Sequence, residues 1–217
     1  MKSNEYINFK ELTYKELEKV SHLFQEYPWE NKEAYIDFIS NVYDFLKHAC
    51  RLLASAASRC NIEYDIFFHR FIDHASEEKN HEKLVLNDLK ALGTSMQQYD
   101  MSVPPIWQTQ FYMIEHVSPL SLFGYILYLE NLSLYESIGP QVYKRCLEVY
   151  GRKATSYLRV HVEEDPSHVD KLFDIIDKLP QGEHQNVVDS LLITSSLYRN
   201  FLIELMQKHK RSASRAA

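Results

Sequence analysis

The chain predicts an all-α protein, a bundle of about eight or nine helices, and three observations carry that expectation. Glycine is scarce, with 5 in 217 residues, which argues for long helices and against a strand-and-turn protein. The 7 prolines fall mostly between periodic segments rather than inside them. Within those segments apolar residues recur at i+3/i+4 spacing, the stripe of a helix that buries one face. With 45% hydrophobic and 25% charged residues the composition is that of a globular chain. A single domain is expected over 1–217, with 210–217 a disordered tail.

The first helix is expected over Tyr14–Gln25, opened by Thr13 as a cap and closed before Pro28. A long second helix spans Lys32–Ser58, where Tyr35, Ile39, Val42 and Phe45 lead into Ala49, Leu52, Leu53 and Ala56. A third runs over Ile62–Leu92 and stops at Gly93, a natural C′ residue. Val103-Pro104-Pro105 interrupts the pattern. Helices follow over Ile106–His116, Leu120–Glu136, Pro140–Val149 and Lys153–Asp165. Pro166 opens the next, to Leu179, and the last covers Glu183–Lys208.

Several function classes are disfavoured before any motif is read. A net charge of -6 offers no basic surface to nucleic acid, and Lys210, Arg211 and Arg215 are too few to make one. Cys50, Cys60 and Cys146 are odd in number and form no CxxC pattern, which with the lack of a signal peptide predicts reduced thiols in a cytoplasmic protein. The most apolar run, Leu120 to Leu134, contains Glu130 and Asn131 and is too short to span a bilayer.

Against that background the segment His161-Val162-Glu163-Glu164-Asp165-Pro166-Ser167-His168 is unusual. His161, Asp165 and His168 stand at i, i+4 and i+7, one helical face turn after turn, and extend an apolar stripe from Tyr157 to Leu172. A second account is equally available: Asp165 as N-cap and Pro166 at N1 of a new helix. Either way the proline predicts a bend here. Upstream, Phe67, Phe71, His74, Glu78, His81, Val85 and Leu89 share one stripe, apolar at both ends and polar in the middle. Glu78 and His81 are i, i+3 neighbours, the Glu-x-x-His spacing of carboxylate-bridged bundles. Glu77 is the alternative, but it continues toward the polar face of Arg70 and Asp73. Between the halves, Glu130 is the lone charge on the stripe Phe123, Ile126, Leu127, Leu134, and must pair with a cation, change its pKa or bind a metal. A carboxylate bridging two metals accounts for its isolation. Imidazoles paired with carboxylates suit iron or manganese better than sulfur-ligated zinc.

The ordered set Glu-x-x-His, lone Glu, then His-x3-Asp-x2-His resembles the haem-oxygenase-like diiron oxidases and oxygenases, over about Lys32 to Leu205. The resemblance implies a haem-oxygenase-like helical bundle and two Fe(II) ions per chain, held by Glu78, His81, Glu130, His161, Asp165 and His168. Glu78, Glu130 and Asp165 are the carboxylates it implies for catalysis. It also implies O2 and a small carboxylate-bearing substrate as partners, an amino acid or a relative of one first, and a homodimer. Alternatives are a fatty-acid decarboxylase, a self-sacrificing p-aminobenzoate synthase consuming a tyrosine such as Tyr27, or a non-catalytic helical binding protein. Many members place a carboxylate seven residues before the first ligand His, where this chain has His74. The first shell is therefore completed by Glu78, Glu77 or His74. Arg159, Lys144 and Arg152 are available to receive a substrate carboxylate. Thiaminase-like relatives need a cysteine nucleophile, and no cysteine here lies near the polar positions; true haem oxygenases need a proximal histidine, for which His22 is available, but that scheme leaves the carboxylates unexplained.

Overall fold

The computed structural model describes the backbone of residues 7–164 and 166–216, and the side chains of 7–163 and 169–211. Every element among these residues is helical: Phe9–Glu26 (α1), Lys32–Leu46 (α2), Ala49–Arg59 (α3), Asp65–Glu77 (α4), His81–Ala91 (α5), Pro104–His116 (α6), Leu122–Leu134 (α7), Gly139–Tyr150 (α8), Ser156–Glu164 (α9), Pro166–Ile176 (α10) and His184–Ala216 (α11), joined in places by single 3-10 turns. The nine segments expected from periodicity become eleven because two of them are broken.

The Lys32–Ser58 segment divides at Lys47 and His48, although neither residue is a helix breaker. The cause is tertiary. The His48 ring stacks on Trp107 with centroids 3.8 Å apart, and the Trp107 indole N–H donates to Asp44 Oδ2 at 3.0 Å. Held there, the His48 N–H bonds back only three residues, to Phe45 O at 3.0 Å, and the next helix starts on a new axis. The Ile62–Leu92 segment divides after Glu78. Its pivot is Asn80, at φ 75° the one non-glycine residue with a left-handed backbone among those described. Asparagine tolerates that region because its short polar side chain supports the backbone locally.

Smaller corrections have local causes. Asn8, not Thr13, caps α1 by accepting the Glu11 N–H at 3.0 Å, while the Thr13 hydroxyl turns back to Phe9 O. Single 3-10 turns precede α7 and α9, and α10 stops at Ile176, short of Leu179. The last helix is described to Ala216.

The bundle is organised around α7, whose residues Leu122 to Tyr128 are all buried. The long α11 lies against it, with Gly124 packed directly on its backbone. At the other end α11 is tied to α2: buried Asp37 accepts from Lys208 at 2.6 Å and from His209 at 3.0 Å. Among the described residues no helix is long and apolar enough to cross a membrane.

Candidate metal centre

The break after Glu78 shapes the site. Glu78 closes α4, its N–H still bonded to His74 O at 2.9 Å, and His81 opens α5 after the left-handed Asn80. The Glu-x-x-His pair thus spans a bend rather than one continuous turn. On the preceding turn of α4, His74 Nε2 lies 2.9 Å from Glu130 Oε1 on α7 and 3.7 Å from Glu78 Oε1. The ligand atoms of His74, Glu78 and Glu130 all fall within 4.8 Å of one another, and all three residues are buried. On the far side of Glu78, Oε2 approaches His81 Nδ1 at 3.3 Å, and the His81 ring meets that of His161 on α9 edge-to-face with centroids 5.1 Å apart. It is therefore Glu78, rather than Glu130, that stands between two imidazoles with one oxygen toward each.

The donor set fits a hard or borderline metal. It comprises imidazole nitrogens and carboxylate oxygens with no thiolate, the combination that suits iron. Glu78 Oε1 and His81 Nδ1 are buried and make no hydrogen bond. Orphaned groups of this kind cost on the order of 1–3 kcal/mol each, and a bound ion is one of the few things that resolves them. Burial opposes the Glu78 charge, but the imidazoles of His74, His81 and His161 outweigh it and hold its carboxyl well below the usual carboxylate range. Burial likewise pulls His74 down, yet its hydrogen bond to Glu130 and the nearby Glu78 carboxylate carry it up to about 9.

Of the six residues expected from the sequence, four converge here: Glu78, His81, Glu130 and His161. Asp165 lies outside the described residues, and of His168 only the backbone, within α10, is described. The choice between ligand and N-cap for Asp165 rests there. Glu77 faces away from the cluster, bonded to Arg70 at 3.0 Å and to Lys171 on α10 at 2.9 Å. Asn131 and Ser133, which follow Glu130, bond to main-chain carbonyls of α7 itself, leaving Glu130 directed inward.

One residue of consequence was not anticipated. Asp88, fully buried on α5, accepts the Ser156 and Tyr157 N–H groups at 2.9 Å each, together with the Ser156 hydroxyl. It is an N-cap supplied from another helix, and it fixes α9, which carries Tyr157 and His161, in register with α5, which carries His81. The signal was present in the sequence: Asp88 interrupts the stripe His81, Val85, Leu89, Leu92. Asp88→Ala is expected to lower stability by about 1–3 kcal/mol, since it strands the α9 donors, and Asp88→Asn to recover part of this. Urea denaturation of the metal-free variants measures both, and an Ala variant as stable as the parent would remove the clamp.

His74, Glu78, Glu130 and His161 line a cavity walled also by α1–α3, α7–α9 and α11. Phe38, Phe45, Leu52, Leu122, Ile126 and Val142 are typical of the wall, which among the described residues contains neither lysine nor arginine. The three cations considered for a substrate carboxylate are placed elsewhere: Arg159 pairs with Glu163 at 2.9 Å, and Lys144 and Arg152 are exposed. Among the described residues no cysteine lines the cavity either, and His22 is exposed on α1. Tyr27, whose hydroxyl donates to Ala34 O at 2.8 Å, is not part of the wall.

Comparison with solved structures supports the architecture. A domain of unknown function with a haem-oxygenase-like fold from Shewanella denitrificans superposes with a TM-score of 0.83 at 16% identity, covering 97% of each chain. A TenA homologue from Pseudomonas syringae pv. tomato gives 0.67 at 12% identity, covering 95% of this chain and 96% of its own. A TenA homologue from Pyrococcus furiosus gives 0.66 at 16% identity, covering 91% and 99%. At such identities the likeness establishes the fold, here haem-oxygenase-like, and nothing of the chemistry. Among curated proteins none matches the sequence. The family of iron-containing redox enzymes does match, over residues 37–198, a span that includes His74, Glu78, His81, Glu130 and His161; the chain belongs to that family.

Proposed function

We propose that the protein is a non-haem diiron oxidase or oxygenase that uses O2 to oxidise a small, largely apolar carboxylate. The observation that carries this reading is the convergence of His74, Glu78, His81, Glu130 and His161, from four helices, with all but His81 lining a cavity whose wall is otherwise mostly apolar. Glu78, His81, Glu130 and His161, with Asp165 and His168 from the following segment, would hold the two irons. The irons, when bound, would supply the electrons and open coordination positions for O2 chemistry.

The protein's own contribution is orientation and exclusion of water. The apolar wall keeps bulk solvent from the reacting end, which limits loss of reactive species to side reactions. The same wall reorders the substrate classes. An amino acid would bring both an ammonium and a carboxylate into a cavity with no lysine or arginine, and each unpaired charge there is strongly disfavoured. A fatty acid brings one carboxylate, which can remain at the metal end, and a chain that gains about 0.8 kcal/mol per methylene buried. The geometry thus favours the fatty-acid-like class over the amino-acid class. Absence of cysteine from the wall speaks against thiaminase-type nucleophilic chemistry.

The test is to load the metal-free protein with Fe(II) under anaerobic conditions, admit O2, and follow oxygen consumption and substrate loss. The panel contains straight-chain fatty acids, their amides and the common amino acids. Acceleration by the fatty acids, little by the amides and none by the amino acids is the expected result. Acceleration by an amino acid alone would reverse the substrate assignment. Failure to bind iron at all would remove the enzyme reading.

A further inference from the structure

We infer that Tyr125 and Tyr198 form a hydrogen-bonding station within the cavity, one that selects a fatty-acid-like chain carrying a further carbonyl oxygen along its length. The inference rests on the substrate reading above and deepens it. Both residues line the cavity and are buried, Tyr125 at 6% exposure on α7 and Tyr198 at 2% on α11. Among the described residues neither hydroxyl has a hydrogen-bond partner. Outside the cavity the buried Tyr27 and Tyr35 hydroxyls do, donating to Ala34 O at 2.8 Å and to Ala154 O at 2.9 Å. The Tyr128 hydroxyl is also unbonded, but it is sealed in the packing and does not line the cavity. Buried tyrosine hydroxyls usually find a partner, and two left open on one cavity suit a ligand.

The surroundings decide which ligand group the two hydroxyls receive. Around Tyr198 the cavity is lined with rings: Phe24 stacks on it with centroids 6.3 Å apart, Phe45 stands edge-on at 6.1 Å, and Phe38 lies 6.4 Å from Phe24. Ser133, also on the wall, turns its hydroxyl to Glu130 O at 2.7 Å. Burial raises both phenols well above their ordinary range, and at Tyr125 the Glu78 and Glu130 carboxylates raise it further. Both therefore stay protonated and act as neutral donors. A second carboxylate beside them would meet the same two acidic groups and, among the described residues of the wall, no lysine or arginine to balance it. A plain alkyl chain leaves both donors unpaired. A carbonyl oxygen carries no charge, offers two lone pairs, and brings no proton that needs an acceptor of its own. It satisfies the donors and leaves nothing of the ligand unsatisfied.

The experiment is a calorimetric titration of the metal-free protein with 2-, 3- and 4-octanone and with 2-methyl-1-octene, in which a methylene replaces the oxygen of 2-octanone. Wild type, Tyr125→Phe and Tyr198→Phe are compared, each substitution removing only a hydroxyl. At least one ketone is expected to bind the wild type about tenfold more tightly than the alkene, because a site built to donate rejects an analogue that cannot accept. In at least one variant that preference should fall to near unity through loss of ketone affinity, while the alkene binds as well or better. Equal binding of ketones and alkene by the wild type, or a preference that survives both substitutions, would overturn the inference, as would a wild type that binds none of them. Should a variant fail to fold, the comparison of ketone with alkene in the wild type still decides. Neutral probes and metal-free protein separate this result from the proposed oxidation. Fatty-acid oxidation by a protein with no ketone preference would remove the inference alone, and a ketone preference in a protein that binds no iron would remove the oxidation alone.

Discussion

On the diiron proposal, Glu78→Gln is expected to abolish binding of both irons while leaving the bundle folded. The substitution keeps the side-chain volume and one carbonyl oxygen, but it removes the charge that stands between His74 and His81. Loss of outer groups that merely orient ligands costs roughly 10- to 100-fold in metal affinity, so removal of a bridging carboxylate should cost about 100-fold or more for both ions. Turnover with O2 should fall to the rate of free Fe(II). The metal-free variant should stay folded but lose some stability, because the imidazoles of His74, His81 and His161 hold the Glu78 charge against the cost of its burial. The two effects separate in a thermal melt. Wild type should gain about 2.7 kcal/mol at a metal concentration 100 times its dissociation constant, and the variant should gain almost nothing. Glu77→Gln is the control, its carboxylate being engaged with Arg70 and Lys171. Iron retained in Glu78→Gln and lost in Glu77→Gln would reverse the assignment between the two neighbours.

That neighbouring choice was legible in the sequence, for a physical reason. A carboxylate in phase with Phe67, Phe71, Val85 and Leu89 has to enter the core, and one residue earlier it does not. Glu130 was legible in the same way, as the single charge in an apolar run, and its inward orientation is what an all-apolar stripe enforces. The bends were harder to read. The one at His48 is made by a tryptophan more than fifty residues away, and no local signal announces it. The one at Asn80 had a faint signal, an asparagine inside a polar run, but helical propensity alone would carry the chain straight through. The cavity wall was unreadable because its residues are scattered over seven helices, so the lack of a cation in it could emerge only once they were assembled. Arg159 looked suitable by proximity in sequence to His161, yet its guanidinium is turned outward to Glu163.

The fold makes a second large demand at Gly124, where α7 and α11 touch. A Cβ placed there would stand 2.2 Å from Val187 O and 2.5 Å from Leu191 N, and 2.9 Å from Ser190 Cβ. Two of those three atoms are backbone within a helix, so no rotamer change can relieve the overlap; the helices themselves must part. Two effects of opposite sign compete in Gly124→Ala. Replacing glycine inside a helix gains about 1 kcal/mol in propensity. Overpacking against a rigid backbone costs about 3 kcal/mol or more, the upper end of what buried small-to-large changes show. The clash should win by about 2 kcal/mol, which for a chain of this length corresponds to a fall in melting temperature of about 4–8 °C. The consequence reaches the site, because α7 also carries Glu130, six residues further along. A displacement of α7 away from α11 moves Glu130 relative to His74 on α4, so metal affinity should fall together with stability. Gly124→Val, with two more carbons to place, should exceed both effects. Calorimetric melting and metal titration of the same preparations test the pair of claims: an alanine variant that melts at or above the wild-type temperature would mean the helices do not approach this closely, and one that melts low but binds metal normally would uncouple the α7–α11 contact from the position of Glu130.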